Sequence, residues 1–397
     1  MSDEKETIFL DNASTTAMRR ETLEAMEPYF LCDYGNPSSI HSMGRTPRDA
    51  CNDARRTISN LINASPEEIY FTSGGTESDN WALTAVARRA GKGKNIVISK
   101  VEHHAIIETA DYLEKEGFEI RRVGVDEYGV VKLDELRQLV DGNTALVSVM
   151  TANNEIGTIE PLKEISEIAH ANGALFHTDA VQAMCHIPID VVADGIDLMS
   201  ASGHKFGGPK GVGFLYIRKG VKLDPFMRGG AQEEGKRAGT TNVPGIVGMA
   251  KAAELESYDM KGKMEKVAKL RDHAIQRIEK EIPFSKLNGH RTKRLPGNVN
   301  FSFRFVEGES LLMMLNHSGI CVSTGSACAS GSLDPSHVLL AIGLPHEIAH
   351  GSVRMSLSDS NDIRQIDKAV DVLKASLERL RSMSPLYEDY IKKERNQ

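Results

Sequence analysis

The sequence predicts an α/β fold in which a mainly parallel sheet lies between helices, together with a second, smaller domain. From about residue 66 onward, short apolar runs rich in β-branched residues alternate with longer segments of helical period, as in βαβ units. The chain has 397 residues. Because a single hydrophobic core rarely grows beyond about 250 to 300 residues, two domains are expected.

Predicted strands and helices alternate along most of the chain. The strands are short apolar runs at residues 68–72, 95–99, 144–150, 174–178, 197–201 and 212–217. The helices carry apolar residues at three-to-four spacing, at residues 77–89, 106–116 and 162–171. A charged amphipathic stretch at residues 253–281 predicts one long helix that joins the two domains.

The composition is that of a globular protein, with 40% apolar and 26% charged residues. A formal net charge of -7 argues against nucleic acid or an anionic membrane surface as the main partner. No stretch approaches the roughly 20 apolar residues of a membrane span, and the first residues lack the apolar run of a secretory signal. The five scattered cysteines do not suggest a disulfide framework, so a reducing, cytoplasmic location is expected.

Lys205 is the first candidate for chemistry. It lies in the glycine-rich run 202–211, directly after one predicted strand and before another. An amine at a strand end is partly desolvated, which suits a lysine that forms a Schiff base. A phosphate-binding P-loop and an ordinary glycine-rich turn are the alternatives. Pro209 counts against the P-loop, because it stands where that motif needs its lysine.

Other polar residues follow predicted strands in the same way. Asp179 ends an apolar strand, where a carboxylate can keep a pyridine nitrogen protonated; a helix N-cap is the alternative. Gln182, three residues later, reaches the same ligand if a turn follows the strand. Gly75 and Thr76 follow a strand and open a helix, which predicts a phosphate site, with a plain tight turn as the alternative. Together with Lys205, these groups match pyridoxal phosphate better than a nucleotide.

Three further residues are candidates. His103 follows the strand at 95–99 and is placed to stack on a flat ring or to move protons, unless it is structural; no HExxH or CxxC spacing supports a metal site. Cys328 is the centre of the run 323–332, whose small residues predict a mobile loop with a reactive thiol. Arg354 lies in an apolar segment and should meet a carboxylate, either of a substrate or of an internal partner.

Seven motifs, in order along nearly the whole chain, resemble those of the NifS and IscS type cysteine desulfurases, which are fold-type-I pyridoxal-phosphate enzymes. The motifs are LDNASTT at 10–16, YGNPSS at 34–39, TSGGTESDN at 72–80, NNEIG at 153–157, SGHK at 202–205, RAGT at 237–240 and GSAC at 325–328. The resemblance implies a large cofactor-binding domain at residues 15–260, with a mainly parallel seven-stranded sheet. A smaller α+β domain would comprise residues 1–14 and 261–397 and carry the cysteine loop at about 321–334.

By this resemblance, Lys205 is the Schiff-base lysine, Asp179 the partner of the pyridine nitrogen and His103 the ring that stacks on the cofactor. Cys328 is the persulfide-forming cysteine, and Arg354 binds the substrate carboxylate, with Asn36 as a second candidate. The remaining cofactor contacts are Asn154 and Gln182 near the phenolic oxygen, and Gly75, Thr76, Ser202 and His204 at the phosphate, joined by Thr240 from the other subunit.

The resemblance also implies a homodimer that takes sulfur from L-cysteine onto Cys328 and releases alanine. The sulfur would pass to acceptor proteins such as an IscU- or NifU-like scaffold, for iron–sulfur cluster assembly or tRNA thiolation. A selenocysteine lyase or another class V pyridoxal-phosphate enzyme would not need Cys328, and a sulfur-transfer scaffold without activity is a further alternative. No metal ion and no direct contact with nucleic acid or a membrane is expected. Residues 387–397 are expected to form a solvated charged tail, with docking of a partner as the alternative.

Overall fold

The computed structural model describes residues 7–324 and 335–395. The strands are β1 (Ile8–Phe9), β2 (Ile69–Thr72), β3 (Asn95–Ser99), β4 (Glu119–Val123), β5 (Thr144–Ser148), β6 (Leu175–Asp179), β7 (Leu198–Ser202), β8 (Gly213–Ile217), β9 (Ser285–Leu287), β10 (Asn298–Phe303), β11 (Ile320–Cys321) and β12 (Ser352–Ser356). The α-helices are α1 (Arg20–Met26), α2 (Pro28–Leu31), α3 (Ser42–Leu61), α4 (Gly75–Ala90), α5 (His104–Lys115), α6 (Leu133–Leu139), α7 (Leu162–Ala171), α8 (Val243–Ser257), α9 (Met260–Glu281), α10 (Gly308–His317), α11 (His337–Ala341), α12 (His346–His350), α13 (Ile363–Ser382) and α14 (Pro385–Arg395).

A seven-stranded sheet organises most of the chain, in the order β2-β8-β7-β6-β5-β3-β4. The neighbours from β7 to β4 are parallel, and β8 is antiparallel to both β2 and β7. Successive residues of one strand pack into different hydrophobic clusters: Val97 faces one, and Ile96 and Ile98 face another. Both faces of the sheet are therefore buried, as parallel sheets require. The predicted α/β fold with a mainly parallel sheet between helices is confirmed.

The prediction of one continuous helix at residues 253–281 is wrong. The structure has two helices there, α8 and α9, separated at Tyr258 and Asp259. Asp259 has φ 50°, a left-handed conformation that stops the first helix, and its carboxylate accepts a hydrogen bond from the Gly262 N–H at the start of the second. The charged amphipathic pattern runs through the break, because both helices turn an apolar face to the protein.

A second group of elements packs beside the large sheet. Strands β12, β10 and β9 form an antiparallel sheet, and β1 pairs in parallel with β11. Their buried residues share one cluster with the inner faces of α9 and α13, to which Ile8, Val299, Val353 and Leu373 belong. In the part of the chain that the structure describes, no helix is long and apolar enough to cross a membrane.

The C-terminal segment that was expected to be a solvated tail forms helix α14. Tyr387 and Tyr390 on this helix contact the rings of Phe284 and Phe305, with ring centroids 5.2 to 6.1 Å apart. The Arg304 guanidinium lies over the Phe305 and Tyr390 rings. The charged sequence of the C-terminal segment does not reveal this aromatic cluster, since Phe284 and Phe305 are distant in sequence.

Candidate active site

A cavity of about 300 Å³ lies where strands β2, β3, β5, β6 and β7 end. The carboxyl edge of such a sheet is where ligands of α/β proteins usually bind. Ten residues selected from the sequence line it, together with five that were not selected. The lining comprises Ala13, Ser14, Gly75, Thr76, Asp79, His103, Met150, Asn154, Asp179, Val181, Gln182, Ser202, His204, Lys205 and Arg354.

Lys205 ends the short 3₁₀ turn Gly203–Lys205, which follows β7 directly. Its Nζ donates hydrogen bonds to the backbone oxygens of Ala13, at 2.7 Å, and Ser14, at 3.0 Å. The Gln182 side chain donates to the same Ala13 oxygen at 2.8 Å. The backbone oxygens of Ala13 and Ser14 therefore hold the Lys205 amine at the wall of the cavity.

Asp179 is the last residue of β6 and is 4% exposed. Its carboxylate accepts a hydrogen bond from the Val181 N–H at 2.8 Å, so it caps a turn and also lines the cavity. Burial raises the pKa of Asp179 to about 6, against the opposing effects of the Val181 N–H and the Lys205 charge. A cationic partner in the cavity would restore the ionised form, because an opposite charge favours it.

The start of α4 lines the cavity next to the turn that follows Asp179. Gly75 is its first residue, and a Cβ there would lie 2.5 Å from Val181 Cγ2, so only glycine lets the helix start approach the turn after β6. Thr76, Ser202 and His204 line the cavity around this helix start. The positive end of the helix dipole and these donors suit a phosphate group.

His103 is the N-cap of α5, and its Nδ1 accepts a hydrogen bond from the Ala105 N–H at 3.1 Å. Burial and the nearby Lys205 and His104 charges lower the pKa of His103 to about 4. The imidazole is therefore neutral near pH 7, with its proton on Nε2. A neutral flat ring is suited to stacking on an aromatic cofactor.

Arg354 connects the C-terminal sheet to the cavity. From β12, its Nη2 pairs with Asp11 at 2.9 Å and donates to Ser14 Oγ at 3.0 Å, and its Nη1 donates to the Asn154 backbone oxygen at 2.9 Å. The internal carboxylate that the sequence left open is thus Asp11. The Arg354 Nε is buried and has no hydrogen-bond partner within residues 7–324 and 335–395.

Two predicted site residues, Asn36 and Thr240, do not line this cavity. Asn36 and Thr240 line a separate hollow of about 120 Å³, beside Tyr29 and Tyr34. Cys328 lies outside the described residues. Asn36 and Thr240 thus line a different hollow from the one that Lys205 lines.

Asp79, Ala13 and Ser14 line the cavity but were not predicted as site residues. Asp79 lies one helical turn beyond Gly75 on the same face of α4, a spacing that a helix assignment from residue 75 would have shown. Ala13 and Ser14 contact Lys205 through backbone oxygens, which any residue carries, and the Ser14 hydroxyl also accepts a hydrogen bond from Arg354. Their only sequence signal is the motif at residues 10–16.

Pyridoxal phosphate fits the side chains of this cavity. An amine, a helix-start anion site, a buried acid and a neutral imidazole all face one space large enough for a small ring compound. One oxygen of the buried Asp79 carboxyl has no hydrogen-bond partner in the described part of the chain. Within the same residues, no group of three or more histidines, cysteines or carboxylates is arranged to hold a metal ion.

The fold and this cavity define a class of pyridoxal-phosphate enzymes, and comparison with known proteins agrees. The model of the class-V aminotransferase family matches residues 8–369. A cysteine desulfurase IscS from Methanosarcina thermophila is 53% identical over 97% of this chain and 96% of its own. One from Clostridium botulinum is 52% identical over 97% and 98%. A solved NifS-like protein, 38% identical, superposes with a TM-score of 0.89 over 94% of this chain and 100% of its own.

The chain belongs to the class-V aminotransferase family and, within it, to the pyridoxal-phosphate-dependent cysteine desulfurases.

Proposed function

We propose that the chain binds pyridoxal phosphate through Lys205 and transfers sulfur from L-cysteine to Cys328, with release of alanine. The observation that carries this proposal is the convergence of Lys205, Asp179, His103 and the α4 helix start on one cavity. The relatives that share almost the full length of the chain are named cysteine desulfurases. In the net reaction, the substrate C–S bond breaks, and a sulfur–sulfur bond forms on the Cys328 thiol.

In this proposal, different residues of the cavity act on different parts of the cofactor. Gly75, Thr76, Ser202 and His204 would hold the phosphate, and Asp179 would keep the ring nitrogen protonated. Bound pyridoxal phosphate would supply an electron sink for the substrate's α-carbon. Lys205 Nζ would take the α-proton and return it, and the neutral His103 ring would stack on the cofactor and exclude water. Asn154 and Gln182, which also line the cavity, would contact the phenolic oxygen.

Arg354 binds the substrate carboxylate. Its guanidinium is fixed by Asp11 and Ser14, while its buried Nε has no partner in the described chain, so donor capacity remains for an incoming carboxylate. Asn36 remains the second candidate for this contact. Because it lies outside the cavity of its own chain, it would serve the cavity of a partner subunit.

A homodimer is the assembly that gives Asn36 and Thr240 their roles. Both line the hollow beside Tyr34, and Phe30, Leu31 and Ile40, which are close to Tyr34 in sequence, are exposed and apolar. An exposed apolar patch of this kind is typical of an interface. In the dimer, Thr240 of one subunit completes the phosphate site of the other.

Two domains are proposed, with residues 15–260 in the larger one and residues 1–14 and 261–397 in the smaller one, which carries the cysteine loop at about 321–334. The cluster that joins Ile8 and Leu10 to Val267 and Leu373 supports this division. Helix α11 is an exception, because Val338 and Leu339 pack into a cluster of the large sheet. The two domains are therefore in contact through α11, which follows the loop in sequence.

The persulfide sulfur goes to acceptor proteins, such as an IscU- or NifU-like scaffold in iron–sulfur cluster assembly, or to tRNA thiolation. The IscS name of the relatives supports the first destination. A cytoplasmic location fits the four described cysteines, all of which are free thiols.

The decisive experiment replaces Cys328 by alanine. The Cys328→Ala protein should hold its cofactor, because Lys205 and the phosphate site are intact, but should release no alanine from cysteine and carry no persulfide. The Lys205→Ala protein should lose the borohydride-reducible link to the cofactor. Mass spectrometry of the cysteine-treated proteins and an alanine assay measure both effects.

Cys321→Ala is the matched control, since Cys321 is a half-buried thiol on β11, seven positions before Cys328. It should form the persulfide and release alanine as the unmodified protein does. Alanine release by Cys328→Ala at the rate of the unmodified protein would refute the proposed sulfur transfer, and a reduced cofactor adduct on another lysine would refute the role of Lys205.

A further inference from the structure

Asp79 is a second carboxyl group in the cofactor cavity. It lies on α4 one turn after Gly75, so the same helix face that forms the phosphate site also presents this side chain. Its side chain is 1% exposed, and its Oδ1 has no hydrogen-bond partner in the described residues. A buried acid with an unpartnered oxygen facing a ligand cavity requires an explanation.

The groups around Asp79 do not neutralise a negative charge on it. His177 and Asp179 are two positions apart on β6 and therefore point to the same face of the sheet. His177 Nε2 is 3.7 Å from Asp79 Oδ1, but burial lowers the pKa of His177 to about 3, so this ring is neutral. Its two nitrogens are also within hydrogen-bond distance of hydroxyls, those of Ser148 at 2.8 Å and Ser200 at 3.1 Å.

The negative charges near Asp79 also disfavour its ionised form. Burial and the negative charges of Asp179 and Glu102 raise the pKa of Asp79 well above its ordinary value, and the Ser200 hydroxyl opposes this only in part. Lys205 is the nearby cation, and it acts on Asp179. Two buried carboxylates that line the same cavity cannot both ionise without a large cost, so one of the pair holds the proton.

We propose that Asp79 is a positioning residue of the cofactor site: it is the neutral member of a carboxyl pair with Asp179, so that the single negative charge of the pair lies on Asp179. This rests on the proposed role of Asp179 as partner of the ring nitrogen. Asp79 supports that role through the shared surroundings of Ser200 and His177, and it does not itself exchange a proton with the substrate.

Two substitutions separate a neutral acid from a charged one. Asp79→Asn keeps the size, the polarity and the absence of charge, whereas Asp79→Ala removes the polar group next to Ser200. In the holoenzyme, Asp79→Ala should lower kcat about tenfold with KM changed less than about twofold, because the interaction lost is felt in the chemical step. Asp79→Asn should restore most of that loss.

The test is a pH titration of the bound cofactor's absorbance between about pH 6 and 9. A merely structural role of Asp79 would not change the midpoint of this titration. Its midpoint in Asp79→Asn should stay within about 0.3 of the unmodified enzyme, because a neutral amide replaces a neutral acid. A shift of about one pH unit would show that Asp79 is anionic and overturn the proposal. Equal kcat and midpoint in Asp79→Ala and the unmodified enzyme would overturn the positioning role.

Glu160→Gln is the matched control, since Glu160 is a buried carboxyl, 4% exposed, that does not line the cavity. It should leave kcat and the absorbance midpoint as they are. Because cofactor attachment to Lys205 is mapped separately, failure of the Asp79 predictions with a normal Lys205 adduct would refute this inference alone.

Discussion

Three glutamates are buried beyond the ends of β3 and β5: Glu102, Glu155 and Glu160. Burial raises their pKa values to about 8, 7 and 8, respectively. A carboxyl whose pKa is raised in the folded state keeps its proton there while the unfolded chain releases it. The free energy of unfolding therefore falls as the pH rises from the ordinary glutamate range through these values.

Glu160→Gln should remove one part of this pH dependence. The Glu160 carboxyl accepts a hydrogen bond from the Val131 N–H at 2.9 Å, and its other oxygen has no partner in the described residues, so an amide fits without a charge. Between about pH 5 and 8.5, the variant should gain at least ~2 kcal/mol in unfolding free energy relative to the unmodified protein. Urea unfolding at both pH values measures this, and parallel pH profiles would contradict it.

Several of the site residues found from sequence share one property, which is their position after a predicted strand. Lys205 and Asp179 could be selected because an apolar strand precedes each of them. Asp79 was not selected, because its place on the face of Gly75 follows only from a helix that begins at residue 75, and its interaction with Asp179 joins residues a hundred positions apart. The titration behaviour of the glutamates is equally hidden, since it depends on burial that only the folded chain creates.

At the scale of elements, predicted strands that are buried on both faces agree with the structure within a few residues. Strand β4 was missed because its sequence, EIRRV, is mostly polar. It is the edge strand beside β3, and Arg121 and Arg122 pair there with acidic residues near the surface. Edge strands need fewer apolar residues, so their pattern does not separate them from loops.

The break between α8 and α9 should depend on Asp259. Its left-handed conformation is tolerated by aspartate and asparagine, and its carboxylate caps α9 through the Gly262 N–H. Asp259→Ala should lower the unfolding free energy by about 1 to 2 kcal/mol, because both the cap and the tolerated backbone conformation are lost. Asp259→Asn should stay within about 0.5 kcal/mol. Thermal unfolding tests this, and equal losses in the two variants would contradict the capping role.

At the scale of the whole molecule, the proposed exchange of Thr240 between subunits can be tested with mixed dimers. Thr240→Asp should release the cofactor from its homodimer, because a carboxylate repels the phosphate. In a dimer of one Lys205→Ala subunit and one Thr240→Asp subunit, both defects fall in one site and the other is intact. The mixed dimer should therefore show about half of normal activity, as independent sites in a symmetric dimer require.

Two differently tagged chains, expressed together and purified over both tags, provide the mixed dimer. If Thr240 served the cavity of its own chain, each of the two sites would carry one defect, and the mixed dimer would be inactive. The two parent homodimers are the controls for residual activity.

The cavity wall is built from opposite ends of the chain. Arg354 meets Asp11, 343 positions away, and Lys205 meets Ala13 across 192 positions. A nascent chain that has not yet reached residue 354 has no partner for its N-terminal segment, even when the large sheet is complete. Contacts so distant in sequence form late in folding, so we expect this wall of the cavity to form only once residue 354 has been synthesised, and cofactor binding at Lys205 to follow it.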